Sequence, residues 1–183
     1  MKNRSLRMLL SAMALMTASA VAALPASARV AGNLGPHADR CAPGSTEPAL
    51  LLTITGFKDH VGQVRVKAYS GEGDDFLKSG FLKSGKYLVK FDARVPAQGD
   101  MTLCVPLPGN HASYAVSVLH DRDMDGKTDL WSDGFGVSNN PKLKFAKPET
   151  AEAAFTAPKG VGVMRIVLNY VSGLSVKPIR ESE

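Results

Sequence analysis

From Ala49 onward the chain runs in short stretches of β-branched and apolar residues, each cut off by glycine, proline, asparagine or aspartate before a helix of useful length can form. Alternation puts one face of such a stretch in a core, and the punctuating residues turn the chain back, so the domain is all-β. The strands predicted are Leu50 to Phe57, Gly62 to Tyr69, Tyr87 to Val95, Met101 to Leu107, Ser113 to His120, Ala153 to Ala157 and Gly162 to Tyr170. About seven strands at this spacing make an antiparallel β-sandwich. Lys58-Asp59-His60 reads as the turn of a hairpin joining the first two, and in the second strand Val64, Val66 and Ala68 alternate against Arg65 and Lys67. Pro106-Leu107-Pro108-Gly109-Asn110 is a turn, because two prolines cannot feed a central ladder. In the last strand Arg165 and Asn169 break the apolar face, which fits a strand with one wet side.

The ends of the chain read differently. Lys2, Arg4 and Arg7 precede an apolar run from Met8 to Ala23 that closes near Ala26-Ser27-Ala28, the pattern of a secretory signal peptide at 1–28 with cleavage after Ala28. An extended lead-in over 29–48, the sandwich over 49–173 and a tail over 174–183 complete the expected organisation. Setting aside the three leader cations leaves 19 Lys+Arg against 17 Asp+Glu, so the apparent basicity is largely a targeting feature and nucleic acid is not a favoured partner. No later run approaches the roughly 20 apolar residues a membrane span needs. The mature protein is expected in the periplasm or outside the cell, where Cys41 and Cys104, its two cysteines, pair by default as a disulfide.

Chemistry concentrates in His120-Asp121-Arg122-Asp123-Met124-Asp125-Gly126-Lys127-Thr128-Asp129. Aspartates two apart can converge their oxygens on one point, and the glycine permits a sharp bend that brings in the next carbonyl. The candidate calcium ligands are Asp121, Asp123, Asp125, the Lys127 carbonyl and Asp129. Position 12 of an EF-hand, the place of its bidentate glutamate, is occupied here by Ser132, with Asp133 one residue late, and the loop follows a strand rather than a helix. The site is therefore expected to be weak. The competing reading is a metal-free polar turn in which the aspartates accept backbone hydrogen bonds and Arg122 and Lys127 screen them.

His120, one histidine amid aspartates, is poor soft-metal geometry and reads as a strand-end residue supporting the loop. Asn139 and Asn140, in Gly134-Phe135-Gly136-Val137-Ser138-Asn139-Asn140-Pro141, offer carbonyls to the same loop, or make an ordinary Asn-Asn-Pro turn. No nucleophile elbow, phosphate loop or Cys-His pairing is present, so the chain reads as a binding protein and not an enzyme; a glycan-acting carboxylate pair, Asp121 with Asp133, is the remote alternative. Phe76-Leu77-Lys78-Ser79-Gly80 is repeated at once as Phe81 to Gly85, best read as a duplicated loop with one Phe-Leu pair packed on the sandwich.

The order and spacing of His120-Asp121, Asp123, Asp125-Gly126-Lys127, Asp129 and Gly134 to Asn140 resemble an uncharacterised family of exported bacterial proteins, domain of unknown function 2141. Gly62 to Val66 with Tyr69, Phe76-Leu77, Tyr114 to Val116 and Phe155 extend the likeness. The resemblance implies a small exported transthyretin-like β-sandwich of no established activity; the fold class expected is transthyretin- or immunoglobulin-like, and the partner expected is an envelope ligand or protein of unknown identity. The short link carrying Trp131 between acidic loop and glycine-asparagine segment is a departure from many such relatives.

Overall fold

The computed structural model describes residues 34–77 and 86–179; the expected signal peptide and the second copy of the repeat lie outside them. Among the described residues, ten strands form two sheets, with one four-residue α-helix beside them. In the smaller sheet the order is β4 (Met101–Pro106), β1 (Ala49–Thr55), β8 (Val161–Val167). The larger runs β10 (Ser175–Pro178), β9 (Asn169–Ser172), β6 (Gly134–Val137), β5 (Ser113–Asp121), β2 (Gln63–Ser70), β3 (Val89–Arg94), with β7 (Phe155–Thr156) also on β5. The helix α1 covers Thr150–Ala153. Among the described residues no helix is long and apolar enough to cross a membrane.

The sandwich is confirmed, with corrections that have physical reasons. β1 and β2 are not a hairpin: β1 pairs with β4 and β8, β2 with β3 and β5, and the seven residues between them carry the chain from one sheet to the other. The sandwich is not wholly antiparallel, because β1 and β8 run parallel with Leu50 opposite Gly162 and Ile54 opposite Ile166. The expected strand Gly162 to Tyr170 is broken at Leu168, where the chain leaves the small sheet as β8 and enters the large one as β9. Its Asn169 is therefore not on a wet side; its amide donates to the Val167 carbonyl at 3.0 Å. β10 lies within the segment read as a tail.

Gly134–Val137, outside the strands expected from alternation, is a fully buried strand. Its glycines serve close approach: a Cβ at Gly134 would sit 2.5 Å from the Tyr170 ring, and one at Gly136 would sit 2.4 Å from Ile166 Cγ2.

The core between the sheets is built by Leu50, Leu52 and Ile54 of β1 against Val64, Val66, Val116 and Val118 of β2 and β5. The outer face of the large sheet is covered too, by Phe76, Leu77, Leu143 and Ala153 packed on Tyr69, Ala115, Phe135 and Val137. Burial on both faces explains the nearly unbroken apolar reading of β5 and β6. Phe76 is the packed Phe-Leu pair's aromatic, edge-on to Tyr69 at 5.3 Å.

Cys41 and Cys104 form a disulfide, with Cα atoms 5.8 Å apart. It pins the short 3₁₀ turn Ala38–Cys41 against edge strand β4, where Cys104 N–H donates to the Leu34 carbonyl at 2.8 Å. The lead-in is thus turned and tied along an edge, leaving that edge less open to foreign strands.

Candidate metal centre

β5 ends at Asp121 and β6 begins at Gly134, so residues 122–133 form the loop between two paired strands. Successive strand residues point to opposite faces. His120 therefore turns inward toward Phe57 and Tyr170, and Asp121 outward toward the Gln63 and Arg65 side chains. This decides the role of His120. Its Nε2–H donates to the Val61 carbonyl (2.8 Å), and Nδ1 accepts from the Tyr170 hydroxyl (2.7 Å), which itself accepts Lys58 N–H (3.0 Å). Burial lowers the His120 pKa, favouring the neutral ring that this pattern requires. Both nitrogens are spent, so the histidine supports the loop's base and is not a ligand.

Of the acids, Asp121, Asp123 and Asp133 converge: each offers a carboxylate oxygen within 4.8 Å of the others, Asp121 and Asp133 buried and Asp123 exposed. Asp121 Oδ2 accepts from Gln63 Nε2 at 2.9 Å and from Gly126 N–H at 3.2 Å, with Arg65 Nη2 at 4.0 Å. Its other oxygen is buried and has no hydrogen-bond partner. Asp133 accepts Arg122 N–H and Asp129 N–H, at 3.2 and 2.8 Å. Burial raises its carboxyl above the ordinary value against the pull of those donors, and the charges of Asp121 and Asp123 add to the rise.

Asp125 and Asp129 are outside this carboxylate group. Each makes a local turn, Asp125 Oδ1 accepting Lys127 N–H and Asp129 Oδ1 accepting Trp131 N–H, at 2.7 and 2.8 Å. Lys127 lies 3.8 Å from Asp125 through its ammonium. Asn139 and Asn140 sit at the far end of β6 from the acids. There Asn139 donates to the Ala154 carbonyl, and Asn140 bonds both the Arg165 carbonyl and Val167 N–H of β8 (2.8 and 2.7 Å), acting as one more rung on that strand. They brace the sheet, not the loop.

The loop is held by two arginines. Arg65 bonds Asp92 through Nε (2.8 Å) and the Gly126 carbonyl through Nη1 (2.7 Å), while Arg122 forks onto Asp59 and also donates to the Ser132 carbonyl at 3.0 Å. Its bonds to Arg122 hold Asp59 below the usual carboxylate range. Gly62 lets the turn before β2 press on the loop root, since a Cβ there would lie 2.3 Å from the Asp121 carbonyl oxygen.

Residues 52–163 match a family of uncharacterised proteins conserved in bacteria, DUF2141. The chain belongs to that family. The match takes in the acidic loop, both arginines and Asp59. No curated protein and no solved structure matches the chain. Membership brings no activity with it, and what the site does rests on its own chemistry.

Proposed function

We propose that this DUF2141 protein is an exported β-sandwich binding module whose β5–β6 loop takes a calcium ion on Asp121, Asp123 and Asp133. One observation carries the reading: Asp121 is fully buried, yet one of its oxygens has no partner and it converges with two further acids. A buried carboxylate left half satisfied is costly, and three at this range repel one another. A hard divalent cation relieves both at once. The donors are all oxygen, which favours calcium over zinc or copper. Three carboxylates fall short of the 6–8 oxygens calcium takes, so waters or carbonyls complete the shell and affinity lies in roughly the 0.1–1 mM range of extracellular modules. The leader-like N-terminus and the disulfide support export.

Calcium at about ten times its dissociation constant stabilises by about 1.4 kcal/mol, raising the melting temperature by about 3–6 °C, and chelator reverses it. Asp123→Asn, at the exposed ligand, abolishes the rise while leaving the metal-free melt intact. A melt indifferent to calcium and chelator sinks the claim.

A second reading has its own support. Gln63, Arg65 and backbone N–H groups already engage much of the acidic surface. On that reading the loop is a rigid metal-free turn on an envelope structural or interaction protein, and the same melt decides between them. Glycan hydrolysis by Asp121 and Asp133 ranks behind both, because each Asp133 oxygen is already capped by a backbone donor.

A further inference from the structure

The two sheets differ in width, and the difference leaves a cleft. β8 is an edge of the small sheet and touches β6, while β9 and β10 continue the large sheet beyond it. Among the described residues, the inner face of the β9–β10 hairpin therefore has no strand above it. Tyr170 and Lys177 lie directly opposite in register and share that face, whereas Val176 packs with the cluster on the other side. The turn after β1 closes the far wall, its Lys58 N–H fixed to the Tyr170 hydroxyl. The result is a cleft of about 870 Å³, lined by Lys58, Tyr170, Ser172, Lys177, Pro178 and Ile179.

Its chemistry is two-sided. Tyr170, Pro178 and Ile179 supply apolar wall, and Ile179 is 39% exposed. Lys58 and Lys177 supply positive charge, and neither ammonium has a carboxylate partner among the described residues. The volume falls among pockets for organic ligands and far exceeds what a bare inorganic anion fills. Two cations without a carboxylate partner among the described residues, set beside an apolar wall, call for a ligand with one anionic end and a hydrocarbon body. The cleft opens from the inner face of the large sheet, whereas the acids lie on its outer face.

We propose that this cleft binds an amphipathic anion, a single carboxylate or phosphate headgroup engaged by Lys58 and Lys177 with its chain laid along Tyr170, Pro178 and Ile179. Titration calorimetry below the micellar concentration, with dodecanoate, dodecyl phosphate, neutral dodecanol and acetate, tests it. At least one long-chain anion binds at least tenfold more tightly than both dodecanol and acetate, and the better of the two identifies the headgroup. Lys58→Ala with Lys177→Ala, at exposed positions, weakens that binding at least tenfold without lowering the melting temperature. Ser172→Phe, which fills the cleft, abolishes it for every probe. The proposal is overturned if neither long-chain anion binds, if dodecanol binds as well as they do, or if the double substitution leaves affinity unchanged.

Discussion

Neighbouring residues on β5 illustrate how much one step along a strand decides. His120 and Asp121 adjoin in sequence, yet one joins an inner hydrogen-bonded chain to Tyr170 and the other an outer group of acids. Asp59 makes a testable contribution at this scale. Its bonds to Arg122 lower its folded pKa below the ordinary 3.8, so the unfolded chain takes up that proton more readily. The stability it adds is fully present above about pH 4 and is lost as pH falls below 3.8 through the lower folded value. Urea unfolding from pH 5 to pH 2 should show Asp59→Asn less stable than the parent at pH 5 and the gap closing by pH 2. A constant gap would mean that the pair acts by shape alone. The spacing of the acids was legible in the sequence, but the identity of the converging three was not. Asp125 and Asp129 satisfy their own turns, and Asp133, one place late by the EF-hand pattern, is held by standing immediately before a paired strand.

Whole elements are legible in the sequence where alternation is clean and hidden where glycine interrupts it. β2 and β5 emerge within a residue or so of their expected bounds because apolar residues recur at every second position, Val64, Val66 and Ala68 in one and Tyr114, Val116 and Val118 in the other. β6 was missed because Gly134 and Gly136, ordinarily turn residues, are there to admit Tyr170 and Ile166. The break at Leu168 was equally hidden, since both halves of that run are apolar and only their destinations differ. Asn140 is the side chain that braces the outer edge of β8, bonding Arg165 and Val167 across from β1. Its φ of 49° suits glycine as well. Asn140→Gly therefore keeps the turn but removes both bonds, and should cost about 1–2 kcal/mol with faster amide exchange at Val167. Unchanged exchange there would show that β8 needs no such brace.

At the scale of the molecule, the family match stops at residue 163, before the sheet crossing and the β9–β10 hairpin, and begins after Cys41. The acidic loop and Lys58 thus lie within the matched residues, and the cleft residues Tyr170 to Ile179 lie beyond them. The disulfide, with its cysteines 63 residues apart, stabilises by about 4 kcal/mol in the chain-entropy description. Replacing both cysteines with serine should lower the unfolding free energy by that order and open 34–48 to protease first, a result checked by denaturant titration with timed digestion. Equal stability of the serine pair would assign the lead-in's order to its backbone bonds on β4 instead.

The parallel pairing of β1 with β8 has a consequence for the order of events in folding. The small sheet is complete only when residues more than a hundred positions apart come together, and β1 lies at its centre. A chain delivered N-terminus first presents Leu50, Leu52 and Ile54 long before Val161–Val167 arrives to flank them. Such distant closure is slow and leaves an apolar strand available to other chains in the interval. The vulnerable period of this protein is therefore its own emergence, and a chaperone that shields the first strand until the last hundred residues are clear would act at the point of greatest risk.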